Sequence, residues 1–192
     1  MRPLRLLAAL VLVGIFISTA SAAPKKYHFK LAGVSAKPEV KEDVAKEAMP
    51  RLEAQVKKTF ETHKQLVGTL DGAPDPDAKA DAYRKFLKAK GLAGAYLVTV
   101  ELTEASIEVV PVESKPGTQR LVVRVAVHFL GENVPGRTMG FTGDGSATIK
   151  QEVGKKIRDR DREFTWDEAA KAAVDDAMLT VFKQLAVPAK KQ

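Results

Sequence analysis

The chain has 192 residues, with 31 Lys and Arg against 24 Asp and Glu, a formal charge of +7, no Cys and 6% aromatic residues. Without Cys there is neither a disulfide framework nor a thiolate metal site, so an ordinary aliphatic core must hold the fold. Acidic residues are interspersed among the basic ones, and the mild basic excess favours encounter with anionic surfaces without marking a nucleic-acid module.

At the start, Arg2 and Arg5 precede an apolar run at residues 6–17 (LLAALVLVGIFI), and Ser18-Thr19-Ala20-Ser21-Ala22 follow. This is the pattern of a cleavable signal peptide over residues 1–22, with small Ala20 and Ala22 where the peptidase needs them. The run of 12 residues is shorter than the ~20 a spanning helix requires. No Cys follows it to take a lipid. The expectation is a periplasmic or secreted protein with no membrane span after cleavage, one domain over residues 23–186, and a disordered basic tail at 187–192.

Residues 26–34 place Tyr27, Phe29 and Leu31 at period two, which reads as a strand. After Pro38, the residues Val40, Val44, Ala48, Met49, Leu52, Val56 and Phe60 recur at helical spacing, with Pro50 inside the stripe predicting a kink or restart. Residues 66–70 (LVGTL) suggest a short strand. Asp75-Pro76 reads as an N-cap with proline at the first helical position, opening a helix through Tyr83, Phe86 and Leu87 that Gly91 ends.

Three strands follow. Tyr96, Val98, Val100 and Leu102 alternate with polar residues, then the phase slips near Ala105 so that Ile107 and Val109 take the other parity, as a bulge would produce. Leu121, Val123, Val125, Val127 and Phe129 alternate with Arg124, Ala126 and His128, and residues 139–149 form a glycine-rich third strand. A charged connector is expected over residues 150–163. Thr165-Trp166-Asp167-Glu168 then fits a capping box opening an alanine-lined helix. The expected architecture is α+β, a single domain in the order β-α-β-α-β-β-β-α. Its mixed sheet contains an antiparallel three-strand meander with helices packed on one face, leaving Arg124 and His128 wet.

The chemistry-bearing residues do not assemble into a catalytic pattern. His28, His63 and His128 lie far apart, so no metal site is expected. The acids Asp71, Asp75, Asp77 and Asp81 resemble a calcium loop, but Lys79 and Ala80 stand where an oxygen ligand and a glycine are needed. The Gly140–Ser146 stretch lacks the lysine of a phosphate-binding loop, and packing of a helix against its glycines is the better account. Ser146 lacks the nucleophile elbow, and Glu101 and Glu104 fall on opposite strand faces. No enzyme activity and no cofactor are expected. Residues Lys155, Lys156, Arg158, Arg160 and Arg162 in the connector, with Arg124 and His128 on the wet face, are the candidate partner-binding set. No aromatic interleaving supports nucleic-acid binding.

Three elements carry a resemblance. They are the helix ending at Gly91-Leu92 before the strand AYLVTVELTEASIEVV, the glycine-rich strand FTGDGSATI, and the terminal helix TWDEAAKAAVDDAMLTVFKQL. In order and texture they resemble the small periplasmic domain shared by the amino-terminal part of TolB, by CsgG and by LpoB. The resemblance implies a non-catalytic role in recognising partners or assembling in the envelope, and transfers no site residue. CsgG and LpoB are lipoproteins, whereas this chain has no Cys to take a lipid; TolB continues into a propeller, and none is expected here. The expected function is an exported envelope accessory protein whose partner is an envelope protein or an anionic polymer. A periplasmic carrier of a small ligand is the alternative, and a hydrolase with a dispersed site the third reading.

Overall fold

The computed structural model describes residues 24–187; the leader expected over residues 1–22 and all but Val187 of the expected basic tail lie outside them. The elements run β1 (Lys26–Ala36), α1 (Glu42–Thr62), α2 (Ala80–Ala89), β2 (Leu92–Pro111), β3 (Thr118–Asn133), β4 (Met139–Gly154) and α3 (Asp159–Ala186). The sheet order is β1-β2-β3-β4, with β1 parallel to β2 and the other two pairs antiparallel. This is a single α+β domain with a four-stranded mixed sheet and three helices, the fold class expected from the alternation and the helical stripes.

Strand alternation sorts the sheet into two faces. The inward face carries Phe29, Val98, Val100, Leu102, Leu121, Val123, Val125, Val127 and Phe129, all buried. Over it lie α1, through Ala48, Leu52, Val56 and Phe60, and α3, through Trp166, Ala173, Val174, Ala177 and Val181. A bulge between Leu102 and Glu104 shifts the register. It keeps Ala105 and Ile107 packed against the same core, as the slip in the sequence anticipates.

The glycines of β4 let α3 approach. A Cβ at Gly145 would stand 2.2 Å from the Ala173 carbonyl oxygen and 2.3 Å from the Ala177 nitrogen, and one at Gly143 would stand 2.5 Å from Val181 Cγ2. Those distances lie inside van der Waals contact, so the glycines and the small alanines opposite them form one close helix–strand seam.

Four local expectations are corrected. Residues 66–70 contribute only a single parallel bridge, Leu66 to Tyr27. That segment must turn away after Val67 towards α2, so it cannot extend the ladder. The helix expected from Pro76 begins at Ala80 instead. Asp75 does cap, but it caps a turn: its carboxylate accepts the Asp77 N–H at 2.9 Å and its carbonyl accepts the Lys79 N–H. Gly91, at φ +70°, ends the helix as anticipated.

The third correction concerns the connector and capping box. β4 continues to Gly154 and α3 starts at Asp159, so only residues 155–158 connect them. Thr165 is buried inside the helix, where its hydroxyl donates to the Asp161 carbonyl at 2.7 Å. The alternating charges make a helix start: Asp159 and Asp161 suit the positive end of the dipole, and Arg158 pairs with Asp161 at 2.9 Å. Fourth, of the kink or restart expected at the exposed Pro50, the restart does not occur, since α1 runs through it as one helix.

α2 stands apart from the other helices. Its Tyr83 and Leu87 pack with Leu92 and Ala95 in a second, smaller cluster. Ala95 points away from the face that its neighbour Tyr96 lines, so α2 sits on the outward side of the sheet, and the expectation that the helices share one face holds for α1 and α3 alone.

Candidate partner-binding surface

The rest of the outward face is uncovered by any helix, and β3 runs through its middle with Arg120, Val122, Arg124, Ala126, His128 and Leu130 turned outward. Cross-strand register aligns Glu101, His128 and Asp144 in one row and Ser106, Arg124 and Thr148 in another. His128 Nδ1 lies 2.7 Å from the Asp144 carboxylate, and Lys37 lies 4.0 Å from Glu101. Arg124 donates to Glu108 at 2.9 Å, and Glu152 takes Lys115 at 2.6 Å and Arg120 at 3.6 Å. The two cations hold the Glu152 carboxyl below its usual range, Lys115 most of all.

Each pair is partly wet and thus contributes little to stability. Together they leave a face of alternating sign with little net field. Such a face sets the register and selectivity of a contact more than its strength.

The expected site residues therefore divide. Arg124 and His128 are on the outward face, as the alternation implies, but each is engaged by a neighbouring acid. In the connector, Arg158 is paired with Asp161 and Arg162 with Glu47 of α1. This last bond leaves the Glu47 carboxyl below its ordinary value. Lys155, Lys156 and Arg160 are exposed and have no carboxylate within 4 Å among the described residues. The two groups do not converge. Gly154 pairs with Thr118 at the end of β3, and His128 lies ten residues along the strand, roughly 33 Å away.

The sheet edges supply what the residue-by-residue reading missed. The β4 edge is guarded by α3: the Ser146 N–H donates to Asp176 and the Thr142 N–H to Gln184, both at 3.1 Å. On the other side β1 stops pairing at Ala36, opposite Leu102. From Glu104 to Pro111, β2 has only β3 beside it. Here Val109 is 46% and Val110 43% exposed. An unpaired edge with apolar side chains is a template for a further strand. One sequence signal pointed to it, since a proline inside a strand belongs at an edge, and Pro111 closes β2.

No family model matches the chain, and no curated protein matches its sequence. Several solved structures are similar at low identity. A hypothetical protein from Chlamydia trachomatis aligns at TM-score 0.48 and 10% identity, over 84% of this chain and 98% of that one. The rare lipoprotein B from Shewanella oneidensis aligns at TM-score 0.39 and 16% identity, over 82% and 96%. A minor lipoprotein from Acinetobacter baumannii gives 0.38 and 11%, over 81% and 96%. Identities of this size carry no residue from those proteins to this chain.

Proposed function

We propose that this chain is an exported, non-catalytic protein of the cell envelope that works by binding a protein partner across its open sheet face and the adjoining β2 edge. The observation that carries the reading is the one-sided cover of the sheet. α1 and α3 seal one face, whereas the opposite face is open beyond α2, and the β2 edge at residues 104–111 keeps unpaired backbone and the exposed Val109 and Val110 in water. The arginine–lysine start, the apolar run and the small residues at 20 and 22 support export. Among the described residues no helix is long and apolar enough to cross a membrane.

In this reading the edge valines supply the affinity and the paired charges of the face supply selectivity, because exposed ion pairs add little to binding strength. The connector lysines, Lys155 and Lys156, are then an electrostatic approach to an acidic region of the partner.

The test uses the chain from residue 23, tagged, as bait against solubilised envelope at low and high salt, beside a Val109→Lys/Val110→Lys variant. One protein retained at high salt by the parent and lost by the variant is the expected result. Capture that washes off with salt, or that the variant retains in full, overturns the assignment of the edge.

A further inference from the structure

Where α2 and the turn before it fold over the outward face, they leave an open pocket of about 280 Å³. This is the low end for a ligand pocket. At ~30 Å³ per water it equals about nine water volumes, the bulk of a molecule of leucine or phenylalanine size. Its walls are apolar through Leu70, Pro74, Pro76, Leu97 and Val134.

Among the residues that line it are His28, Lys30, Asp75 and Tyr83, with Tyr96, which belongs to the inward cluster; Lys30 and Asp75 are exposed, and what each of the first four touches limits its hydrogen-bonding role. His28 Nδ1 lies 2.8 Å from the Val67 carbonyl oxygen. A carbonyl only accepts, so Nδ1 carries a proton, and Nε2 accepts when it carries none. Asp75 spends one carboxylate oxygen on the Asp77 N–H at 2.9 Å, and its other oxygen has no protein donor among the described residues. Lys30 has no carboxylate within 4 Å among the described residues. The Tyr83 hydroxyl, on a side chain only 4% exposed, has no hydrogen-bond partner there either.

The lining thus offers two acceptors, one anionic, and two donors, one cationic, set in an apolar wall. A simple carboxylic acid would satisfy Lys30 and Tyr83 but face the Asp75 charge. A simple amine would satisfy Asp75 and His28 but face Lys30. A head carrying both an ammonium and a carboxylate leaves none of the four opposed, and the apolar wall takes the rest of the molecule. We propose that this cavity binds a free α-amino acid with a large apolar side chain. Its ammonium sits against Asp75 and His28 Nε2, and its carboxylate against Lys30 and the Tyr83 hydroxyl. The site is separate from the β2 edge and stands whether or not the partner reading does.

Calorimetric titration of the chain from residue 23 tests it with four probes: L-phenylalanine, 3-phenylpropanoate, phenethylamine and glycine. The expected result is saturable binding of phenylalanine, with 3-phenylpropanoate and phenethylamine at least about tenfold weaker, the worth of one charge-assisted hydrogen bond, and glycine at least about tenfold weaker for want of the buried apolar side chain. Lys30→Met is expected to lower phenylalanine affinity about tenfold. Asp75→Asn does the same while its amide oxygen still accepts the Asp77 N–H, so the turn is retained. Thermal unfolding of both variants within a few degrees of the parent confirms that they fold. Absence of phenylalanine binding, equal binding of the aromatic probes, or unchanged affinity in both variants overturns the proposal.

Discussion

The two hydrophobic clusters of this protein are built in opposite ways. On the inward face, long strands and two long helices close over side chains that are almost wholly buried, Leu52 at 1% and Val56, Val98 and Trp166 at 0% exposed. On the outward face, one short helix and a proline-rich turn rest on Tyr83, Leu87, Leu92 and Ala95, which keep 2–8% exposure, with a cavity of about 280 Å³ beside them. The first arrangement excludes water from everything it covers. The second leaves space open. A protein that needs both stability and a binding cavity separates them, because close packing leaves no room for a ligand and ligand-binding segments come from the less stable parts of a fold.

The sharpest test of that contrast is one truncation made in each cluster. Leu52→Ala is expected to cost about 4 kcal/mol and Leu87→Ala about 2 kcal/mol, opposite ends of the range set by how far a site can collapse or admit water. Urea unfolding monitored by circular dichroism measures both, and equal costs would mean that the clusters are one core. Next in size is the glycine seam. Gly145→Ala places a methyl against the backbone of α3 and is expected to cost about 1–3 kcal/mol. Gly68→Ala, which meets nothing within 4 Å, is expected to stay within about 0.5 kcal/mol. If the two alanines unfold alike, α3 is not held close to β4.

A smaller effect comes from pH. His63 stacks on Phe182 at 4.5 Å, and burial, with the charge of Lys64, holds its pKa below the usual histidine value. The unfolded chain therefore binds the proton more readily. The stability due to the neutral ring is complete above the unfolded pKa and is lost as pH falls towards the folded one. The melting temperature is expected to drop between about pH 7 and pH 5.5, and His63→Gln to flatten that drop; an identical profile in the variant removes His63 as its source. Smallest of all is Asp144→Asn, which breaks the exposed pair with His128 and should change stability by less than about 0.5 kcal/mol. A larger loss would show that the outward face is a structural layer.

Strand alternation was legible wherever one face is buried. The periods of Val98-Val100-Leu102 and of Val123-Val125-Val127 state which side faces α1 and α3, and the slip at Ala105 locates the bulge within two residues of where it lies. The glycines of β4 and the alanines of α3 announced their contact for the same reason, since small residues on two apolar stripes have one economical use. The misreadings are local. Asp75-Pro76 and Thr165–Glu168 have the composition of helix starts, and a cap motif records what a turn can do rather than where a helix begins. The charged residues 155–163 read as a loop because their tertiary partner Glu47 is over a hundred residues away.

The candidate sites were less legible than the fold. Arg124 and His128 could be placed on the wet face, but that each is engaged by Glu108 or Asp144 depends on cross-strand register. The open edge depends on where β1 ends relative to β2, and the cavity on how the turn around Asp75 folds over Ala95. Local order, periodicity and composition are properties of neighbouring residues, and they were sufficient for the α+β class, the meander and the inward face. Which charges pair, which edge stays open and which space stays empty are properties of residues brought together from distant parts of the chain, and only packing in three dimensions could decide them.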